Sequence, residues 1–543
     1  MIQELRKQVQ YFIHNKIYMF SLLLATIAGY GYEITHTSMG IDDVCIEIYF
    51  EDGLGVAIGR WPFYLINKIF HITDFEPFIL ELVAVIFMVI AAILWSAVIR
   101  YVLQREIPLV CYIVFSAMFL DYSLIAEVFI YYLQNGVGII YCLTAIALFD
   151  FYYIQTQEWS WKKKILHIAG ISMILCLTIS FYESAAALYL FGIFLIMLID
   201  SISAKSLHLN RFVKCCECLF LTVRVLIYGI IGRSLITRMC MLAFGIEEYN
   251  YRSVSSALWI LEYPLRMITL MKQFLRDYVV VGIEYYPIGL FVIASAIFII
   301  AVITLTIKIK NIYLIFIGAG TYGTIFLLSL IQGDMLPYRA NQMLSVFVAA
   351  VLMFVCYFVM RLKAKGVRIV GLVLVLSVIY NSAFDLNHWF AFEYKRNQYE
   401  IEEVHHIAYE LRKGDYDIAN KPVVFAGEYI LDSSIKKEYS ITSESVAYPL
   451  IEKLNASMGE TTPELYPFTQ VLSYSFLDWA ITGFSVYEGY NRELIRLFEK
   501  EGLSLIWGGN ELYQKGVERM LDLNCYPNEG YIREYDDFIL VRF

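Results

Sequence analysis

The sequence predicts a polytopic α-helical membrane protein that carries a water-exposed α/β domain at its C-terminal end. Three observations predict it. Of the 543 residues, 59% are hydrophobic and only 17% are charged, against about 45–50% and roughly 25% in soluble domains. The apolar residues gather into about eleven runs, each near the roughly 20 residues that a helix needs to cross hydrocarbon. After residue 384 that texture gives way to short mixed elements.

The runs lie near 17–34, 78–99, 107–130, 136–154, 165–182, 184–200, 217–232, 283–307, 311–331, 342–360 and 367–384. Arg224 interrupts the seventh. The stretch 233–282 mixes Ile260, Tyr263, Leu265 and Met267 with Glu262, Arg266 and Lys272, and reads as interfacial helix. Basic residues set the direction: Arg6, Lys7 and Lys16, then Arg100 and Arg105, Lys162 to Lys164, Lys205 with Arg211 and Lys214, Lys308 with Lys310, and Arg361 to Arg368 all fall on one side of an eleven-span arrangement. By the positive-inside rule that side is the cytoplasm, which places residues 385–543 outside. Arg233, Arg238, Arg252, Arg266, Lys272 and Arg276 fall on the external side and run against this pattern. The net charge of -9 and the scattered basic clusters leave no basic domain for a nucleic-acid partner. Ten cysteines, mostly in apolar stretches, do not describe a disulfide framework.

The first external loop, 31–77, holds Glu33, Asp42, Asp43, Glu47, Glu51, Asp52, Asp74 and Glu76 against Arg60 and Lys68. Its stretches 44–58 and 61–70, the second with Trp61, Phe63, Tyr64 and Ile66, suit the membrane surface. Asp42 and Asp43 follow the turn-former Gly40, so they fit a general base at the headgroup plane and equally a helix N-cap with a first-turn acid. Asp42 is the more natural cap, which favours Asp43 as the base. Glu47 and Glu183 stand behind them as acids. Arg60, between Gly59 and Trp61-Pro62, is a fork for a phosphate or a snorkelling interface residue.

Other polar residues gather at the same ends of the spans: Asp121, Glu127, Tyr131, Tyr132 and Gln134; Glu183 in a minimal link between two apolar runs; and Asp334, Tyr338 and Arg339 in a Gly-Pro loop. Charges this close to lipid are usually paired or face a cavity. The C-terminal domain opens with helical spacing at Tyr399, Ile401, Val404, Ile407 and Leu411, continues with a buried strand at 421–427 and closes with a strand at 538–543. His405-His406 beside Glu402 lacks metalloprotease spacing, and no phosphate-cradling or serine-hydrolase motif occurs. Asn455-Ala-Ser457 matches a glycosylation sequon.

The succession G-I-D-D (Gly40 to Asp43), F-E-D-G-L-G (Phe50 to Gly55), G-R-W-P (Gly59 to Pro62) and the late Y-P-N-E-G (Tyr526 to Gly530) resembles the bacterial serotype-converting glucosyltransferases that modify O-antigen, within the GT-C class. The resemblance implies a membrane glycosyltransferase domain over 1–384 and an extracytoplasmic domain over 385–543, in the bacterial inner membrane. It implies an undecaprenyl-phosphate-linked hexose donor, glucose by family expectation, and an extracytoplasmic glycan acceptor such as O-antigen or wall polysaccharide. It implies Asp42 or Asp43 as the catalytic acidic residue, acting as base, while the positions of the residues themselves make Arg60, Arg339, Glu47, Glu183, Trp61 and Tyr338 the substrate-binding candidates. No cofactor is called for, and a phosphate leaving group does not oblige a metal ion. A transporter or flippase of a lipid-linked glycan is the alternative, disfavoured by the lack of internal repeats.

Overall fold

The computed structural model describes residues 1–36, 38, 40, 53–70, 77–130, 134–203, 205–209, 211–247, 259–429, 440–467, 476–481 and 490–543. Among them, ten helices are long and apolar enough to cross a membrane: Lys16–Thr35, Phe78–Leu103, Leu109–Phe129, Gly136–Thr156, Trp161–Phe181, Ala185–Ile202, Phe212–Phe244, Tyr286–Ile309, Met343–Met360 and Lys365–Lys413. The apolar run 311–331 folds differently, as helices Tyr313–Ile325 and Leu327–Gln332 broken at Phe326. Against the expected crossings, about eleven, the described residues hold ten helices of sufficient length and one shorter, broken one. A helix needs an unbroken apolar run to read as one span, and the sequence gives no sign of the break.

The seventh helix is longer than its apolar run of 217–232. Phe212–Phe244 continues for 33 residues through Arg224 and Arg233. Arg224 stays on the exposed face with its Nε 3.3 Å from the Tyr228 hydroxyl, while Arg233 meets a carboxylate described below. The amphipathic stretch 61–70 is the helix Trp61–Phe70; of the stretch 233–282 read as interfacial helix, 233–244 instead continues the helix Phe212–Phe244, and Arg266–Phe274 is a short amphipathic helix.

Within lipid, helices gain little from hiding apolar surface from one another, so close packing and internal hydrogen bonds hold the bundle. Phe78–Leu103 and Gly136–Thr156 form its most intimate pair. Gly138 makes this possible, because a Cβ there would stand 2.8 Å from the Met88 backbone nitrogen. The Tyr18 hydroxyl lies 2.6 Å from Ser116 Oγ, and Tyr141 donates to the Gln342 carbonyl at 2.6 Å.

The bundle has two distinct ends. At the lower end Asp200 accepts bonds from the Tyr152 hydroxyl and from the Leu207 and Leu209 amides, and His167 lies 2.8 Å from Asp150. The upper end holds residues 53–61, 181–185, 275–286 and 332–342, together with the C-terminal part of the chain.

The helix Lys365–Lys413 joins the two parts. Its 49 residues span roughly 70 Å at 1.5 Å per residue, far more than the roughly 30 Å of hydrocarbon. It runs through position 385 without a break. Where it leaves the apolar segment, Arg396 is buried between Glu393 and Glu400 one turn to either side. Beyond, Val404, Ile407 and Leu411 pack on a small sheet. There β1 (Val423–Ala426) runs parallel to β5 (Ile539–Arg542), and β4 (Ile532–Glu534) pairs antiparallel with β5. The expected strands at 421–427 and 538–543 are β1 and β5. A separate hairpin-like pair, β2 (Ser440–Thr442) with β3 (Leu465–Pro467), lies nearer the bundle.

Polar contacts fasten this α/β unit to the upper end. Glu284 accepts from the Ala447 amide at 3.2 Å, Lys272 donates to the Ser457 carbonyl at 2.8 Å, and Arg276 reaches Asn455 and Glu460, each at 2.7 Å. Asn455, the sequon asparagine, is buried, and its Nδ2 donates to Thr462 Oγ1 at 2.9 Å. His405 and His406 engage Glu501 and Tyr526.

This arrangement predicts that positions 163 and 428, both exposed, lie on opposite sides of the membrane. Single cysteines replacing Lys163 and Glu428 in a background without native cysteines are expected to react with an impermeant maleimide from opposite faces of sealed vesicles. Reaction of both from one face would contradict the two-ended bundle.

Candidate active site

Three chain segments converge on one carboxylate at the upper end. The short helix Leu54–Ala57 ends at Ile58, Gly59 turns the chain at φ +87°, and Arg60 precedes the helix Trp61–Phe70. Arg60 Nη2 lies 3.4 Å from Glu183 Oε2, and its guanidinium stands 4.8 Å over the Tyr182 ring. From the seventh helix, Arg233 Nη2 lies 2.6 Å from Glu183 Oε1 and donates to the Ile58 carbonyl at 2.9 Å. Gly59 is what lets Arg233 in: a Cβ there would meet its Nη2 at 2.5 Å.

Crowding by protein atoms pushes the Glu183 carboxyl up although the side chain keeps 42% of its surface in contact with solvent, but the Arg60 and Arg233 guanidiniums outweigh this and hold the group below the usual glutamate range. A carboxylate held in this way is a weak proton acceptor, so Glu183 suits the task of gathering two guanidiniums better than that of a base.

A second ion pair lies beside the first. The backbone N–H of Arg339 donates to Glu127 Oε2 at 2.9 Å, and Arg339 Nη1 lies 3.5 Å from Glu127 Oε1. Both pairs act on Tyr182, whose phenol stays above its ordinary value: loss of solvent raises it, the Arg60 and Arg339 guanidiniums lower it, and the Glu183 and Glu127 carboxylates raise it again. The structure thus brings together Arg60, Glu183 and Arg339 of the residues singled out from sequence. Trp61 flanks them, its indole N–H buried without an acceptor among the described residues. Tyr338 is buried next to Arg339 and donates to the Asp277 carbonyl at 2.8 Å. Asp42, Asp43 and Glu47 lie outside the described residues.

Sequence reasoning missed Arg233. It registered only as a basic residue on the unexpected side, and its partner lies 50 positions away. Arg276 and Asp277 were likewise missed; they border a cleft of roughly 400 Å³ between the bundle and the α/β unit, lined also by Glu127, Tyr338, Asn455 and Tyr466. Among the described residues no group of three or more His, Cys, Asp and Glu is placed to hold a metal ion. The site therefore offers clustered guanidiniums for an anion, with hydroxyls and carboxylates next to them.

Two variants test this geometry. Glu183→Gln should loosen both arginines and cost roughly tenfold in activity through a weaker grip on an anionic substrate, with the pH profile between 6 and 8 unchanged; the roughly 10²–10⁴-fold loss typical of a missing base, with loss of the acid limb, would show that Glu183 transfers the proton instead. By linkage, a carboxyl with a depressed pKa stabilises the fold above its unfolded value of about 4.3 and loses that contribution as pH falls through the folded value. The stability of the parent protein relative to Glu183→Gln should accordingly be constant through neutral pH and shrink only below about pH 4. Gly59→Ala should destabilise by roughly 1–2 kcal/mol from its left-handed backbone alone, and displace Arg233 besides; thermal unfolding equal to the parent's would show that Arg233 does not dock there.

No curated protein and no solved structure matches the chain. The family model for glucosyl transferase GtrII matches residues 31–358, well over half of the chain and inclusive of Arg60, Glu127, Glu183, Arg233 and Arg339. A glycosyltransferase needs an anion-holding pocket wherever its donor leaves as a phosphate, and the chain belongs to the glucosyl transferase GtrII family.

Proposed function

We propose that this glycosyltransferase moves a hexose, glucose by family expectation, from an undecaprenyl-phosphate donor to an extracytoplasmic glycan such as O-antigen or a wall polysaccharide. The observation that carries the reading is the sharing of Glu183 by Arg60 and Arg233, with Arg339 acting on the same Tyr182. Guanidiniums at the end of a bundle of spanning helices stand at the depth of a lipid phosphate, and their forks match its oxygens.

In this reading the broken helix 313–332 supplies an eleventh crossing in a GT-C type bundle, residues 1–384 form the transferase domain, and the upper end with residues 385–543 faces outward from a bacterial inner membrane. The 20 residues of the broken helix reach about 30 Å at 1.5 Å each, enough to span. An acceptor hydroxyl attacks the anomeric carbon while the bond from that carbon to the phosphate oxygen breaks. The electron pair stays on the phosphate, where Arg60 and Arg339 stabilise it, and the proton passes to Asp42 or Asp43. Tyr338 and Trp61 flank the reacting sugar, and Glu47 and Glu183 complete the polar surround.

The test is transfer of labelled glucose from polyprenyl-phosphate glucose by the purified protein. Arg60→Ala should raise the donor KM and lower turnover, and Arg60→Lys should recover only part because it lacks the fork. Asp43→Asn should retain donor binding and lose roughly 10²–10⁴-fold in turnover. Parental kinetics in both alanine variants, Arg60→Ala and Arg339→Ala, would dismiss the anion site; parental turnover in Asp42→Asn and Asp43→Asn would dismiss that pair as the base.

A further inference from the structure

The cleft between the bundle and the α/β unit is chemically unlike the arginine cluster it borders. Its roughly 400 Å³ fall within the about 300–1,000 Å³ usual for small-molecule sites. Four carboxylates line it, those of Glu127, Asp277, Asp334 and Glu460, against the guanidinium of Arg276. That guanidinium is consumed by its neighbours: Nε lies 2.7 Å from Asp277 Oδ1, Nη2 lies 3.2 Å from Asp277 Oδ2, and Nη1 lies 2.7 Å from both Asn455 and Glu460. An anionic ligand would meet the field of these acids with the one lining guanidinium already committed. A hydroxyl-rich neutral ligand would meet acceptors and the Tyr466 hydroxyl, which lies 3.2 Å from Asp277 Oδ1.

The position is as telling as the lining. Glu127 belongs to the cleft and is also the acid that Arg339, the second arginine of the proposed phosphate site, grips at 3.5 Å. A sugar held in the cleft therefore borders the proposed phosphate site, the relation in which an acceptor hydroxyl must stand to an anomeric carbon. The far wall is Asn455 to Tyr466 of the α/β unit, so that this unit helps to form the site.

We propose that this cleft binds an uncharged saccharide as the acceptor of the transfer. The proposal rests on the reading of the protein as a lipid-phosphate-dependent hexosyltransferase with a glycan acceptor, and adds that the bound part of the acceptor is uncharged and where it binds. Asp277 and Tyr466 act by binding the acceptor, with no part in holding the donor phosphate.

The test uses the full-length protein in lipid nanodiscs. Its probe is a neutral oligosaccharide fraction released from the source bacterium's own envelope polysaccharide, with an anionic fraction of equal length as comparison. Binding is read by saturation-transfer NMR, and transfer by labelled polyprenyl-phosphate glucose. Asp277→Asn and Tyr466→Ala should raise the acceptor KM about tenfold or more and leave donor retention within twofold. Tyr466→Phe keeps the ring and the fold while removing the hydroxyl, and should raise it by about threefold. Unchanged acceptor KM in well-folded variants, a loss of donor retention instead, or equal binding of the anionic fraction would overturn the proposal. If the parent protein transfers no glucose yet binds the neutral fraction in a way that Asp277→Asn abolishes, the donor reading fails and the saccharide cleft stands.

Discussion

Charge at the edge of hydrocarbon is stable only when it is shared, and the upper end of this protein is organised around one shared carboxylate. Glu183 sits in the three-residue link between the helices Trp161–Phe181 and Ala185–Ile202, where loss of solvent around the carboxyl would by itself favour the neutral form. Arg60 and Arg233 reverse that preference from two other segments. In doing so they fix the Gly59 turn against the seventh helix, and allow that helix to continue past residue 232 where its apolar run ends. The same requirement recurs elsewhere: buried Glu127 is paired with Arg339, and Arg396 lies between Glu393 and Glu400 where the helix Lys365–Lys413 leaves the apolar segment.

This economy of charge also separates two chemistries. The arginines collect beside Tyr182, at the level where a lipid phosphate would lie. Carboxylates collect one step outward, under the α/β unit, where Arg276 is spent on clamping the two parts together. In the proposed reaction, which takes a sugar from a lipid phosphate and gives it to a glycan, these opposite surroundings would serve the two substrates separately, the arginines the phosphate and the acids an uncharged acceptor. Membership of the glucosyl transferase GtrII family establishes glucosyl transfer, and the division of charge supports the proposed donor and acceptor.

Much of the architecture was legible because it depends on local composition. Apolar runs mark ten of the helices, and alternation with turn residues marks β1 and β5. Arg60 and Glu183 stood out for the same reason, as charges in places where charge is costly. What stayed hidden depends on contacts between distant positions or on small changes of backbone. The break at Phe326 lies in a run with no proline. The helix Lys365–Lys413 was read as ending near 384 because hydropathy stops there, yet the helix continues, since the i−3 and i+4 carboxylates around Arg396 neutralise it where the lipid-facing pattern ends. Arg233 was read as a marker of topology, when its meaning is its distance from Glu183. At Asn455 a local sequon match says little by itself, because that asparagine is committed to Arg276 and Thr462.

The central claim is that the reacting phosphate lies at the upper end, among Arg60, Glu183, Arg233 and Arg339. It is tested most directly by photolabelling the protein in nanodiscs with a polyprenyl-phosphate glucose that carries a diazirine on the isoprenoid unit next to the phosphate, followed by peptide mapping. The account predicts label in peptides that contain Gly59 to Trp61, Phe181 to Ser184 and Arg233, competed by unlabelled donor. Competable label confined to the lower-end cavity lined by Met1, Tyr101, Tyr153 and His167 would contradict it.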